Sequence, residues 1–539
     1  MENESKHLHS ASAAGSRRVQ RAYDLALIVT ALALPFSNFL MSQGAFLLAL
    51  AWGLDRWYNG PIFRGRSWKF WKSQPILWAI VGLFFWQLIG QLWTDDLVQG
   101  WRSLRIQLPL LAFPLMLITG RWEQHRGLEL TQHTLAFSVI AACIGALWSG
   151  SSNPEAVEAR DWSPFISHIR FSLIIAFILS WWLLRAFQTR HLKAWGIVIV
   201  ITILGTAFIW KTASITGAIL LPLSASGAFA LSRLEHSIKA HHHSLSKAAQ
   251  KWGLAIVFGG SCVAMLAGAS LWPRYPDVTA LKVATANGEN YLHYPNRCMR
   301  ENNHHVWTSI AWGELSEAWN ERSSVSFEGD DRRGQELRMT LLRYLTSLNL
   351  TKDQAGVFAL DKSDIDRIES GVPTILEVNH DGLMRRWDIV KFEVWNALDG
   401  GNPSGHSLMQ RFLFLQNAFY VFQNQPVLGV GTGDVPTAIA ASYSEHSSPL
   451  ATQFRLRPHN QYITFLISGG PLSMLLWMTI LVALIAVSRS AFSDYPFKVA
   501  VLACLIIAIS CITEDTLETQ AGVTFSGFLI GLLGRRVTP

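Results

Sequence analysis

Long apolar runs alternate with short polar connections along most of the chain. A membrane span needs about 20 apolar residues. Runs of that kind lie at 75–93, 103–119, 129–149, 164–184, 194–210, 212–231, 252–271, 461–487, 496–513 and 520–534. The stretch 23–54 is too long for one crossing, since a single helix there would run about 50 Å against a hydrocarbon core of about 30 Å. "LPFSN" at 34–38 breaks it in the middle, so the pattern predicts a hairpin of two helices, 23–36 and 38–54. The expected total is about twelve spans.

The loops test that parity through the positive-inside rule. With the N-terminus inside, "RWYNGPIFRGRSWKFWK", "GRWEQHRG", "RAFQTRHLK", "SRLEHSIKAHHHSLSKAAQK", "SRSAFSDYPFK" and the terminal "GRR" all face one side, and all are basic. "TDDLVQG", "SSNPEAVEARDW" and "TEDTLETQ" face the other side and lean acidic. Reading 23–54 as one span would move the first basic loop outside. One large polar region, 273–456, falls on the outer side. Within it "AWGELSEAWNERS", "ELRMTLLRYLTSLNL" and "SDIDRIES" read as amphipathic helices, while "TKD" and "GDD" read as turns. The expected fold is therefore an all-α polytopic membrane protein with one large, mainly helical outer region. Its parts are an inner tail at 1–22, nine spans at 23–272, the outer region at 273–456, and three spans with a short inner tail at 457–539.

Composition agrees. Half of the 539 residues are hydrophobic and only 15% are charged, against about 25% in a soluble domain. The 23 tryptophans suit interfacial belts. The net charge of +7 does not indicate a nucleic-acid partner, because the basic residues cluster in short loops between apolar runs. Four of the five cysteines, Cys143, Cys262, Cys504 and Cys511, lie in apolar runs and Cys298 in the polar region, so neither a disulfide framework nor a cysteine metal site is expected. "HHH" at 241–243 sits in a basic loop without a paired ligand and reads as part of a solvated charge run. The N-terminal segment lacks a small-residue cleavage site, so its first apolar run is expected to be retained.

There is no P-loop, Rossmann fingerprint, HExxH or GxSxG in a strand–turn–helix context. The informative stretch is "GHSLMQRFLFLQNAFYVFQNQPVLGVGTGD" at 405–434, followed by "FRLRPHNQYITFLISGGP" at 454–471. Arg411 is the first charge of a helical segment that Pro426 ends. "GVGTGD" would let backbone approach a ligand, although most such runs are turns. Arg455, Arg457 and His459 alternate where the chain enters an apolar run, with Asn460 beside them. By spacing alone, His459 is an interfacial histidine satisfying backbone groups, and the arginines are snorkelling anchors. Against the bland reading, the outer edge of a membrane should be poor in cations, yet three converge here. Arg170, Lys211, Arg102 and Arg105 also lie at outer span ends. Any one of them reads as a snorkelling anchor, but together such residues would line a cationic pocket at the outer face, and guanidinium geometry matches phosphate oxygens.

"PVLGVGTGD", the upstream Arg411 and "RPHNQYITFLISGG" resemble the O-antigen ligase/polymerase superfamily. "TEDTLETQAGVTFSGF" and the outer segment beginning "GELSEAWNERS" are similar to its Bacteroidetes members. The resemblance runs over essentially the whole chain, with a ligase-related core at about 195–485. It implies a metal-independent, cofactor-free glycosyltransferase of the GT-C type in the bacterial inner membrane, with its active site facing the periplasm. The implied donor is a glycan on undecaprenyl diphosphate, and the implied acceptor is a sugar hydroxyl of lipid A–core. On the same resemblance His459 is the general base that activates the hydroxyl, kept neutral by its arginine neighbours. Arg411 holds the diphosphate with Arg170 and Arg457, and Asn460 and Arg455 support the site. The chain departs from the family where Ile215 stands in place of an arginine, and Lys211 is the expected substitute. An O-antigen polymerase would share this chemistry with a growing glycan as acceptor. Glycosylation of a protein from the same donor is a weaker reading. A transporter of similar span number would show related halves and interrupted helices, and neither is visible in the sequence.

Overall fold

The computed structural model describes residues 2–61, 68–152, 161–240, 281–297, 299–489 and 494–535. The expected span at 252–271 and the 241–243 histidines lie outside them. The protein is an all-α polytopic membrane protein. Among the described residues seven helices are long and apolar enough to cross a membrane: Pro75–Trp93, Gln124–Ser152, His168–Thr189, Leu192–Lys211, Ile215–Arg233, Gln461–Arg489 and Tyr495–Thr513. The Leu97–Thr119 helix also forms but carries Arg102, Arg105 and Gln107, and Gln520–Leu533 forms a shorter apolar helix. The first hairpin breaks where "LPFSN" places it, between the helices Glu2–Ala33 and Asn38–Asn59, with the Ser37 hydroxyl accepting from Leu40 N at the second start. The first helix is longer than the apolar run 23–36, because it continues through the polar residues ahead of it.

The chain divides into two compact units, one comprising Met1–Ile256, Phe414–Ser447 and Leu456–Pro539, the other Val257–Leu413 and Ser448–Arg455. In the first, the Gln520–Leu533 helix is buried along nearly its whole length. Gly527 and Gly531 set its approach to Leu97–Thr119: a Cβ at these positions would lie 2.6 Å from the Pro109 carbonyl oxygen and 2.8 Å from that of Phe113. Small residues at this spacing let two backbones pack closely where lipid provides no hydrophobic drive.

The run 461–487, expected as one uninterrupted span, is broken. Gly469 and Gly470 leave helical geometry inside Gln461–Arg489, with φ +68° at Gly470, and Pro471 follows. An interrupted helix is therefore present, where the continuous apolar run showed none. The reason is local: Pro471 has no N–H to donate, and Gly470 tolerates the left-handed region. At membrane depth the freed carbonyls need partners, and "GVGTGD" supplies them. Val430 N donates to Ile467 O at 2.8 Å and Gly431 N to Ser468 O at 3.0 Å, while Trp86 Nε1 donates to Gly469 O at 2.7 Å. Thr432 Oγ1 then bonds Gln87 O at 2.7 Å, and Asp434 receives Asp95 N and Asp96 N, both at 2.8 Å. The glycine-rich run is thus a plug for the broken helix, not a flexible turn. Gly470→Ala would place a methyl against the Val427 carbonyl oxygen in a strained backbone region. It is expected to destabilise the protein by about 2 kcal/mol or more, read as a lowered thermal midpoint in detergent; an unchanged midpoint would contradict the plug.

The second unit is mainly helical. The expected amphipathic segments form the helices Trp312–Arg322, Leu337–Ser347 and Lys362–Glu369. Their apolar faces meet in one core through Leu315, Trp319, Leu341, Leu345, Ile365 and Ile368. Asp361 and Asp364 form a reciprocal capping box at the third start, with bonds of 2.7 and 3.2 Å. A two-stranded ribbon, Arg300–Glu301 with His304–His305, lies beside this core.

Candidate active site

The site is built on a helix start and an acidic connection of the first unit. Pro458 is followed by His459 at φ +49°, a left-handed conformation that costs a β-carbon-bearing residue energy and clusters at functional sites. Asn460 then caps the Gln461–Arg489 helix: its Oδ1 accepts from Ile463 N at 3.1 Å, and its Nδ2 donates to Ile512 O at 3.0 Å. The connection Thr513–Gln520 fastens this start in place. Asp515 Oδ1 accepts from Asn460 N at 3.1 Å and from the Thr464 hydroxyl at 2.8 Å. The fully buried Gln461 accepts from Leu517 N at 2.8 Å through Oε1.

Two further carboxylates of that connection receive the predicted site cations. Glu514, 7% exposed, lies with Oε2 3.5 Å from His459 Nδ1 and 3.7 Å from Arg170 Nη2. Arg170 is itself buried near the start of His168–Thr189, and its Nε donates to Thr519 Oγ1 at 3.2 Å. Its Nη1 is buried without a hydrogen-bond partner among the described residues. Glu518 takes Arg457 Nη2 at 3.2 Å, Gln107 Nε2 at 3.0 Å and Gln461 Nε2 at 3.5 Å. Burial pulls the Arg457 pKa down, but Glu518 and Asp515 outweigh it and hold the guanidinium above its usual range. Arg457 Nε is also buried and unpartnered among the described residues. A cavity of about 10 Å³ beside Arg457 and Glu518 has room for a single water. The ring of Phe414 lies 5.7 Å from that of His459.

The expected cationic pocket is therefore, around His459, an ion-pair network. Its charged members are Arg170 and Arg457 against Glu514, Asp515 and Glu518. The charge that pairs with the His459 imidazole is the Glu514 carboxylate, 3.5 Å from Nδ1. Sequence reading missed these three acids; the signal was "TEDTLETQ", read only as an acidic outer loop.

The other predicted residues have separate places. Lys211 ends the Leu192–Lys211 helix, exposed, with its ammonium 5.4 Å from the Trp162 ring centre. Its turn is tied to Arg170's helix by a 3.2 Å bond between the Ser172 and Ser214 hydroxyls. Ile215, where the resemblance leads one to expect an arginine, is exposed at the start of the next helix. Arg411 and Arg455 belong to the second unit. Arg411 lies on the helix Ser407–Asn424, and Arg455 Nε donates to Leu450 O at 3.0 Å within its own loop. Among the described residues no group of three or more His, Cys, Asp or Glu side chains is placed to hold a metal.

Residues 372–478 match the family model described as O-antigen ligase. The matched region holds Arg411, Arg455, Arg457, His459, Asn460 and the break at Gly469 and Gly470, while Arg170 and the acidic connection lie outside it. A search of curated proteins finds no match. Over residues 372–478 this multi-pass membrane protein, with its several apolar helices and its His–Asn helix start, is similar to the O-antigen ligase family.

Proposed function

We propose that the protein is an O-antigen ligase of the bacterial inner membrane, working on its periplasmic side. It transfers a glycan from undecaprenyl diphosphate to a sugar hydroxyl of lipid A–core by metal-independent, GT-C-type transfer. The observation that supports this reading best is the Glu514 carboxylate between the His459 imidazole and the Arg170 guanidinium, with one Arg170 donor left over.

In the proposed step the acceptor oxygen attacks the anomeric carbon and gives its proton to His459 Nε2. The bond from that carbon to the phosphate oxygen breaks with its electron pair, and undecaprenyl diphosphate leaves. Glu514 beside Nδ1 favours the tautomer that presents the Nε2 lone pair, and it stabilises the imidazolium as the proton arrives. Charge develops on the departing diphosphate, where preorganised guanidinium donors act most strongly. The unpartnered Nη1 of Arg170 and Nε of Arg457 suit phosphate oxygens. Arg411 is assigned to the diphosphate by the family resemblance, and Lys211 is its proposed helper. Asn460 acts through the helix start that it caps, and Arg455 through its loop.

The test is a lipopolysaccharide gel from a strain lacking the protein, with the undecaprenyl-linked pool analysed alongside. The expected result is core without O-antigen and long polymer stranded on undecaprenyl diphosphate. Core capped by one repeat unit would make the protein a polymerase instead. An unchanged ladder would overturn both assignments and return attention to transport or another acceptor.

A further inference from the structure

The second unit contains a cavity of about 200 Å³ that the chemistry above does not use. One wall is Lys352, a lysine only 4% exposed. Its backbone is fixed by bonds to Ser309 O and from Ala311 N, and its ammonium donates to His305 O at 3.2 Å. An ammonium carries three donors, and among the described residues the bond to His305 O is the one it makes. The ribbon residues His304 and His305 also line it, with Thr308, Asn349 and Thr351. Among the described residues no carboxylate lines the cavity. The nearby acid Asp399 is already held by Arg300 at 3.0 Å.

A buried cation without a counter-charge is unfavourable. Burial accordingly pushes the Lys352 ammonium down to about 8. Both histidines are also held below their usual range, by burial first, then by Lys352 for His304 and by Arg300 for His305. An anion entering the cavity would supply the missing charge, and the hydroxyl and amide groups around it are hydrogen-bonding partners for a sugar ring. The volume is below that of a drug-sized pocket and suits one ring. We infer that this cavity binds a carboxylate-bearing sugar residue, with the Lys352 ammonium on the carboxylate and the Thr308, Asn349 and Thr351 side chains on the ring. The anion site stands on the cavity itself. The choice of a sugar as the bearer of the charge rests on the proposed function.

The experiment uses the full-length protein in lipid nanodiscs, with binding of glucuronate, glucose and inorganic sulfate measured by calorimetry. Glucuronate is expected to bind clearly more tightly than either of the others. Loss of the charge in Lys352→Met should weaken glucuronate about tenfold or more. Equal binding of glucuronate and glucose would overturn the site, as would unchanged affinity in Lys352→Met. Sulfate binding as tightly as glucuronate would overturn the sugar assignment while leaving the ligase reading to the gel above. If Lys352→Met fails to fold, Asn349→Gly, at an exposed wall position whose φ of +58° glycine accepts, decides the point: weaker glucuronate binding supports the site, and unchanged binding overturns it.

Discussion

His459→Ala is expected to lower glycan transfer by about 10²–10⁴-fold, the contribution of a positioned general base, while the protein still inserts and folds. The two expectations separate because His459 has little structural duty. The helix start is capped by Asn460 and stitched by Gln461 and Thr464 to the acidic connection. Among the described residues the imidazole itself meets Glu514 and the Phe414 ring. Transfer is measured with purified protein, lipid-linked glycan and acceptor, and folding is followed by the thermal midpoint in detergent. Wild-type transfer by a folded His459→Ala protein would remove the base assignment.

Glu514→Ala is the second large effect, and it divides into two parts. Removing the carboxylate leaves Arg170 buried without its ion-pair partner, which should cost about 3 kcal/mol. It also deprives His459 of the group beside Nδ1, so transfer should fall even where the protein is folded. Combining it with Arg170→Met should restore much of the stability, since the stranded charge is gone, but not the transfer. The thermal midpoint reads the first part and transfer under folded conditions reads the second. If Glu514→Ala matched the wild type in both, the carboxylate would be neither a structural partner of Arg170 nor an orienting group for the base.

The fold was legible wherever a local pattern sufficed. The hairpin break at 34–37 followed from one over-long apolar run, and the outer amphipathic helices followed from their periodicity. The break at Gly469 and Gly470 was not read, although "SGGP" was in view, because apolar residues continue on both sides of it. What makes that break tolerable is the backbone of Val430 and Gly431, about 40 residues away in the chain. The same limit applied to "GVGTGD", whose purpose lies in the carbonyls it meets rather than in its own flexibility.

The site divides in the same way. His459, Asn460 and Arg457 stood out because charged and polar groups run straight into an apolar segment, a cost that any sequence shows on its face. Glu514, Asp515 and Glu518 looked like an ordinary acidic loop. An acidic loop between two spans is cheap when solvated and says nothing until its surroundings are known. By itself the sequence determined that this chain lives in a membrane, that helices carry it there, and where a base and its cations enter. Those properties depend on apolar run length and on the energetics of charge in lipid, which act residue by residue. Only the tertiary structure decided that His459 and Arg170 share one carboxylate and that a glycine-rich loop closes a broken helix. Both depend on segments remote in sequence meeting within a few ångströms, and hydrogen bonds and ion pairs act only at that range.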